Sequence, residues 1–226
     1  MSHAATWAVV PVKSLEEAKQ RLARVLPVEA RRKLMLIMLD DVLATLRQVE
    51  RLDLVLVVTP DASVAEFATN AGARVLREAS CQGHSAAAIA GFSYAQSRGA
   101  VRALTLPADA PLVTAAELCS LIETAAATAS PHLTLVPSHD GDGTNGFLVS
   151  PPDLLQPAFG PGSFARHVAH AAARKIECHV HHLPGLALDI DEPPDLARLM
   201  EQKQGCARYD FLSKPHFEMA SELEPR

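Results

Sequence analysis

The stretch Leu54-Val55-Leu56-Val57-Val58-Thr59-Pro60-Asp61 decides the fold class. Its first six residues are all aliphatic or β-branched, without polar alternation. That pattern suits a strand covered on both faces, as strands of parallel sheets are. Pro60 stops the strand, and Asp61 opens a helix that runs to about Ala71 and closes at Gly72. The same punctuation repeats outward from this unit. Trp7–Val12, a short segment at 74–76, Val101–Leu106, Leu133–Val136, Gly146–Val149, 176–183 and 186–190 read as strands. Apolar residues at Leu34, Ile37, Met38, Val42 and Leu46 recur at helical spacing between Glu29 and Val49. Ser85–Ser97, Ala115–Ala129, Ser163–Arg174 and Pro193–Gln202 read as further helices, and 15–26 as a charged loop with a helical turn. Such alternation predicts an α/β protein built of right-handed βαβ units around a mainly parallel sheet. With no repeat or linker, residues 1–204 form a single domain in this reading, followed by a polar tail over 205–226.

Composition narrows the function classes. At 226 residues, with 48% hydrophobic and 21% charged residues, the chain has the makeup of a globular protein. A net charge of −5 argues against a nucleic-acid partner, which needs a basic footprint. Aromatic content of 4% offers no stacking platform for single strands. No run of about 18 apolar residues exists, so no membrane span is expected. Met1–Thr6 has no charged start followed by an apolar core, so no secretory signal is expected. Cys81, Cys119, Cys178 and Cys206 are scattered without metal spacing and read as reduced thiols of a cytoplasmic protein. The apolar helices leave room for a homodimer.

Two acidic stretches far apart in the chain carry the chemistry: Leu104-Thr105-Leu106-Pro107-Ala108-Asp109-Ala110-Pro111 and Leu188-Asp189-Ile190-Asp191-Glu192-Pro193. Each reads as a buried strand whose carboxylates emerge at the carboxyl edge of the sheet, where open α/β folds bind ligands. Such oxygens suit a divalent metal held against a nucleoside triphosphate; the plainer role is to cap the next helix. After the first strand, Lys13, Lys19 and Arg21 are placed to neutralise phosphates, although Glu16 and Glu17 among them also suit a solvated mixed-charge face. Gly83 permits close backbone approach before the helix at Ser85. The glycine-rich stretches Asp140–Gly146 and Phe159–Phe164 bring Thr144 and Ser163 hydroxyls that suit a small anion. His167 and His170 lie one helical turn apart and read as packed or surface histidines before a catalytic or metal pair. Neither GxxxxGK[ST] nor GxGxxG occurs.

Taken in order, these motifs resemble the 2-phospho-L-lactate guanylyltransferase family, which makes an activated phospho-acid for coenzyme F-420. Bacterial members use phosphoenolpyruvate or 3-phospho-D-glycerate. The matching pieces are Pro11-x-Lys13…Ala18-Lys19-x-Arg21-Leu22, Leu39-Asp40-Asp41-Val42, Ala108-Asp109-x-Pro111-Leu112, Gly143-Thr144-Asn145, Phe159-Gly160-x-x-Ser163-Phe164-x-x-His167 and Asp189-Ile190-Asp191-x-Pro193. The chain departs where the family usually has Leu-Asn, carrying His84-Ser85, and where it has Leu, carrying Ala110. The resemblance implies a three-layer α/β/α sandwich of the nucleotide-diphospho-sugar transferase (glycosyltransferase-A-like) fold. It also implies GTP and a small phosphorylated acid as partners, with Mg²⁺ held by Asp109, Asp189 and Asp191. Those acids, with Lys13, Lys19 and Arg21, would carry catalysis. Pro11, Lys13, Gly83, Pro107 and Asp109 would line the nucleotide, and Thr144, Gly160 and Ser163 the acid. The alternatives are a nucleotidyltransferase of the molybdopterin or sugar-phosphate type, a glycosyltransferase of the same sheet, and a non-catalytic nucleotide binder.

Overall fold

The computed structural model describes residues 5–213. Met1–Ala4, where a secretory signal would begin, and the tail from Lys214 onward lie outside the described residues. The elements are β1 (Thr6–Pro11), α1 (Val28–Leu46), β2 (Leu54–Thr59), α2 (Ala62–Asn70), β3 (Arg74–Arg77), α3 (His84–Ser97) and β4 (Arg102–Thr105). They continue as α4 (Ala115–Ala127), β5 (His132–Pro137), β6 (Thr144–Ser150), α5 (Ser163–Ala173), β7 (Glu177–Val180), α6 (Pro184–Ala187) and α7 (Pro193–Gln202). Among the described residues the strands form one sheet in the order β3-β2-β1-β4-β6-β5-β7. Every neighbouring pair is parallel except those of β6, which runs antiparallel to both β4 and β5.

Period-two burial along the strands divides the core into two layers. Ala8, Val10, Val57, Leu104 and Leu148 face one side, where they pack with α1, α2, α4 and α7. Val9, Leu56, Val58, Ala103 and Phe147 face the other, against α3 and α5. Helices cover both faces of the sheet, and the arrangement is the expected three-layer α/β/α sandwich. Gly91 lets α3 sit close on β1, since a Cβ there would collide with Val9 Cγ1.

The stretch 186–190, expected as a strand, is not one. Pro184 starts the single turn of α6, and the Gly185 amide donates to Glu117 Oε1 at 2.7 Å. Leu188–Asp191 then runs as irregular chain, with the Ile190 amide donating to the Asp109 carbonyl at 3.0 Å. Its apolar pattern has another cause: Leu186 and Ile190 are fully buried from a connecting segment, with no strand ladder around them. Beyond Gly205, residues Ala207–Ser213 form a 3₁₀ turn whose Tyr209 and Leu212 are buried in the core layer that contains α1. Asp41 on α1 receives hydrogen bonds from Lys203 (3.1 Å), Arg208 (2.7 Å) and Tyr209 (2.9 Å), which ties this end of the chain down.

Asp61 links α2 to the loop after β1. Its Oδ1 accepts from the Ser63 and Val64 amides at 2.8 and 3.2 Å, capping α2, and its Oδ2 accepts from the Leu15 amide at 2.9 Å. Burial alone would raise its pKa, but the amides of Leu15, Val64 and Ser63 and the Ser14 hydroxyl outweigh that and lower it. The stabilisation is therefore complete above the ordinary carboxylate pKa and lost as pH falls through the lower folded value. Asp61→Ala is expected to cost about 1–2 kcal/mol at neutral pH in denaturant titrations, with a smaller difference from the parent protein in acid.

Candidate active site

Strand order reverses between β1 and β4, and the crevice beyond their carboxyl ends is where an α/β sheet offers a ligand site. The loop after β1 is shaped by three pins. Asp61 holds its start, the Arg31 guanidinium donates to the Ala18 carbonyl at 3.0 Å, and Leu15, Ala18 and Leu22 are buried beneath it. Between these pins Lys19 adopts left-handed backbone geometry (φ 53°), unusual for a residue with a Cβ. Its ammonium points inward, hydrogen bonding to Asp109 Oδ2 and, at 2.8 Å, to Asp191 Oδ1. Two carboxylates from segments far apart in the chain thus meet around one cation, which is the Lys19 ammonium, the group the sequence had assigned to the phosphates.

Asp109 lies four residues past the end of β4, after Pro107, and Asp191 lies just before α7. Asp189, near enough to feel the charge of both, accepts from Asn145 Nδ2 at 3.0 Å. The same Asn145 amide donates to the Leu186 and Ala187 carbonyls at 3.1 and 2.8 Å, so it ties β6 to the chain that carries Asp189 and Asp191. Burial and the charge of Asp109 raise the Asp189 pKa against the opposing Asn145 bond. At Asp191 the effect of burial is overturned by Lys19, with help from Arg21 and Lys13, and its pKa is lowered. Burial would lower the Lys19 pKa, but Asp109 and Asp191 raise it, so the ammonium keeps its charge.

Because β6 is antiparallel, its first residues arrive at the same edge as the last residues of β1 and β4. Thr144 and Asn145 then point to opposite faces of the sheet. Asn145 reaches the acids, while Thr144 Oγ1 lies 3.0 Å from His167 Nδ1 and 3.5 Å from Ser163 Oγ. The glycine loop before α5 is held by Asp142, whose Oδ2 accepts from the Gly162 amide at 2.8 Å and whose carbonyl accepts from the Phe164 amide at 3.1 Å. Gly160, at φ 117°, and Gly162, at φ 68°, need the left-handed region that side chains disfavour.

The other expected residues surround this centre. Pro11 ends β1, Pro107 follows β4, and Gly83 (φ 95°) precedes α3. Lys13 is exposed; Arg21 is also exposed, with NH1 3.9 Å from Asp191 Oδ2 and 3.5 Å from Glu192 Oε1. His84 meets the Phe159 ring edge-on at 4.6 Å, and burial pushes its pKa down to about 4 against the opposing pull of Asp109. Ser85 Oγ accepts from the Phe159 amide at 2.9 Å, joining the Gly83 loop to the Gly160 loop. Two contributors were missed in the sequence. Asn145 has no role assigned from the sequence, and His167, expected as a packed or surface histidine, is indeed packed, but with hydrogen bonds to both ring nitrogens that the sequence does not show; both sit in motifs already singled out. A separate cleft of about 860 Å³, bordered by Arg32, Lys33, Asp61 and Arg208, contains none of these residues.

Among the described residues no three acidic, His or Cys side chains already stand as a metal cage. The chemistry of the donor set is nevertheless the kind that a hard divalent cation takes: it is all carboxylate oxygen, and Lys19 already acts as a stand-in cation between two of the acids.

A family model described as "Guanylyl transferase CofC like" matches residues 6–226. The chain belongs to this family. It is 38% identical over 196 residues to a phosphoenolpyruvate guanylyltransferase of Conexibacter woesei, covering 87% of each chain. It is 41% identical over 194 residues to that of Sphaerobacter thermophilus, covering 86% of this chain and 92% of the relative. A nucleotide-diphospho-sugar-transferase-like protein of Desulfovibrio desulfuricans superposes with a TM-score of 0.73 at 14% identity, covering 98% and 99% of the two chains. A 4-diphosphocytidyl-2C-methyl-D-erythritol synthase gives 0.60 at 17% identity, covering 87% of this chain and 98% of the other. The chain has the nucleotide-diphospho-sugar transferase fold, and it is a nucleotidyltransferase. Among the described residues no helix is long and apolar enough to cross a membrane.

Asn145→Ala removes three hydrogen bonds and leaves two carbonyls and the Asp189 carboxylate without that donor. It is expected to lower stability by about 1–3 kcal/mol in thermal or denaturant unfolding, and to raise the Asp189 pKa further.

Proposed function

We propose that this enzyme transfers GMP from GTP to phosphoenolpyruvate and releases pyrophosphate, in the route to coenzyme F-420. The observation that carries the reading is the meeting, at one sheet edge, of the acids around Lys19 with the Thr144–Ser163 hydroxyl pair, joined through neighbouring residues of β6. The names of relatives at 38% to 42% identity support phosphoenolpyruvate as the acid. 3-Phospho-D-glycerate and 2-phospho-L-lactate share its carboxylate and phosphate.

A phosphate oxygen of the acid attacks the α-phosphorus of GTP. The bond from that phosphorus to the bridging oxygen breaks, and the electron pair leaves with pyrophosphate. The attacking phosphate is already ionised at neutral pH, so the site needs no strong base; its work is positioning and charge neutralisation. Thr144, Ser163 and the Gly160 backbone grip the acid. Lys13 and Arg21 screen the triphosphate from the solvent side, while Lys19 keeps Asp109 and Asp191 ionised and in place. Gly83 gives the nucleotide close access to the backbone before α3, with Pro11 and Pro107 lining its other side. Mg²⁺ would be held by Asp109, Asp189 and Asp191, and when bound it neutralises the reacting phosphates. This reading puts the enzyme in the cytoplasm, with its GTP.

Purified protein incubated with GTP, Mg²⁺ and each of the three acids should give a guanylylated product with phosphoenolpyruvate, identified by mass, and stoichiometric pyrophosphate. A product with CTP but not GTP, or sugar transfer without pyrophosphate, would replace the reading with another enzyme of the same fold. Asp109→Asn should lower kcat about a hundred- to thousandfold, equivalent to about 2.7–4 kcal/mol. Near-normal turnover of that variant at saturating Mg²⁺ would remove Asp109 from the reaction.

A further inference from the structure

His167 has no exposed surface and is packed by the rings of Phe147 and Phe159, with centroids 4.9 and 5.5 Å away. Each ring nitrogen has one partner. The Ala158 amide is 2.8 Å from Nε2, and Thr144 Oγ1 is 3.0 Å from Nδ1. A backbone N–H can only donate, so Nε2 must offer its lone pair. A neutral imidazole carries one proton, which is then on Nδ1 and is donated to Thr144 Oγ1. Burial first, then the charges of Arg166 and His170, push the His167 pKa down to about 4, which keeps the ring neutral under ordinary conditions.

The consequence falls on Thr144. Its oxygen accepts from His167 and also lies 3.5 Å from the Ser163 hydroxyl, which can donate to it. A hydroxyl whose oxygen is engaged as an acceptor has its own proton left to give. The chain runs in one direction, from the Ala158 amide through the imidazole to the Thr144 O–H, and each donation strengthens the next. What takes the last proton has to be an acceptor. At this edge, beside the Gly160 loop, a phosphate or carboxylate oxygen meets that demand in any orientation and adds charge to the bond, whereas a ligand hydroxyl meets it only by turning its own proton away.

We propose that His167 is a positioning residue: held in its Nδ1–H form by the Ala158 amide, it turns the Thr144 hydroxyl into an obligatory donor and makes that subsite selective for oxyanions. The inference rests on reading Thr144 as a contact of the phosphorylated acid. It explains why a histidine that never reaches the reacting atoms sits beneath the glycine loop with both nitrogens committed.

The tautomer can be read without turnover. Long-range nitrogen–proton correlation spectra of the ¹⁵N-labelled full chain at neutral pH should show His167 with a protonated Nδ1 and a bare Nε2. A proton on Nε2, or on both nitrogens, overturns the proposal whether or not the chain guanylylates an acid. Titration with phosphoenolpyruvate should then shift the Nδ1 resonance as the Thr144 proton is taken up; saturation binding without such a shift counts against it. In steady-state kinetics, His167→Leu and Thr144→Val should each raise the KM for the acid about ten- to hundredfold, the loss of one hydrogen bond to a charged group, with the KM for GTP unchanged. The double variant should be no worse than either single one, because both break the same chain. His167→Asn, whose amide N–H stands where Nδ1 does, should recover most of the loss. Equal loss in the Asn and Leu variants, or additive losses in the double variant, would mean that His167 only fills space.

Discussion

The Lys19 ammonium between Asp109 and Asp191 is the contact on which the carboxyl edge of this sheet depends. Two acids in a partly buried crevice repel each other, and a third, Asp189, feels the charge of both. Without a cation among them the segments that carry them would separate or take up protons. Lys19 supplies that cation from a short loop, and its left-handed backbone is the local strain that the pairing offsets. Its side chain is almost fully enclosed, whereas those of Asp109 and Asp191 remain 21% and 43% exposed. The carboxylates therefore keep an open side toward solvent, where a ligand can reach them.

The surroundings serve this arrangement. Asp61 and Arg31 pin the loop that delivers Lys19, and the Ile190 amide on the Asp109 carbonyl sets the two acidic segments side by side. Asn145 fastens the later acids to β6, and its neighbour Thr144 faces the other layer, where α5 and its glycine loop lie. Two adjacent residues of one strand thereby serve both halves of the crevice, one on each face. Reversing β6 relative to its neighbours is what makes this work, because it brings the start of that strand, and not its end, to the ligand edge. Ser85 and His84 join from a third direction through Phe159, so the Gly160 loop and the Gly83 loop are tied to each other.

The legible part of the site was the part with its own chain punctuation. Asp109 follows Pro107 after a largely apolar run, and Lys19 sits in a charged stretch directly after β1; both signals are local. Asp191 was legible for a reason that was partly mistaken, since the residues before it do not form a strand: Pro184 starts a helical turn, and Ile190 is buried from irregular chain. Asn145 and His167 sit in stretches that the sequence singled out, but nothing local assigns them these roles. An asparagine after a glycine-rich turn offers turn chemistry, and a histidine one helical turn from another suits packing as well as a site. Each takes its meaning from a partner more than twenty residues away.

By itself the sequence determined the layered α/β class, the acids and cations available for chemistry, and the family to which the chain belongs. The class and the available groups follow from periodicity, from proline and glycine placement and from residue type, all of which act over a few residues; the family showed through the order of whole motifs that resemble it. Only the tertiary structure decided that β6 runs backwards, that Lys19 pairs with two acids before it meets any phosphate, and that His167 commits both nitrogens. Those outcomes depend on strand pairing, burial and hydrogen-bond direction between remote segments, and none of these exists until the chain has closed on itself.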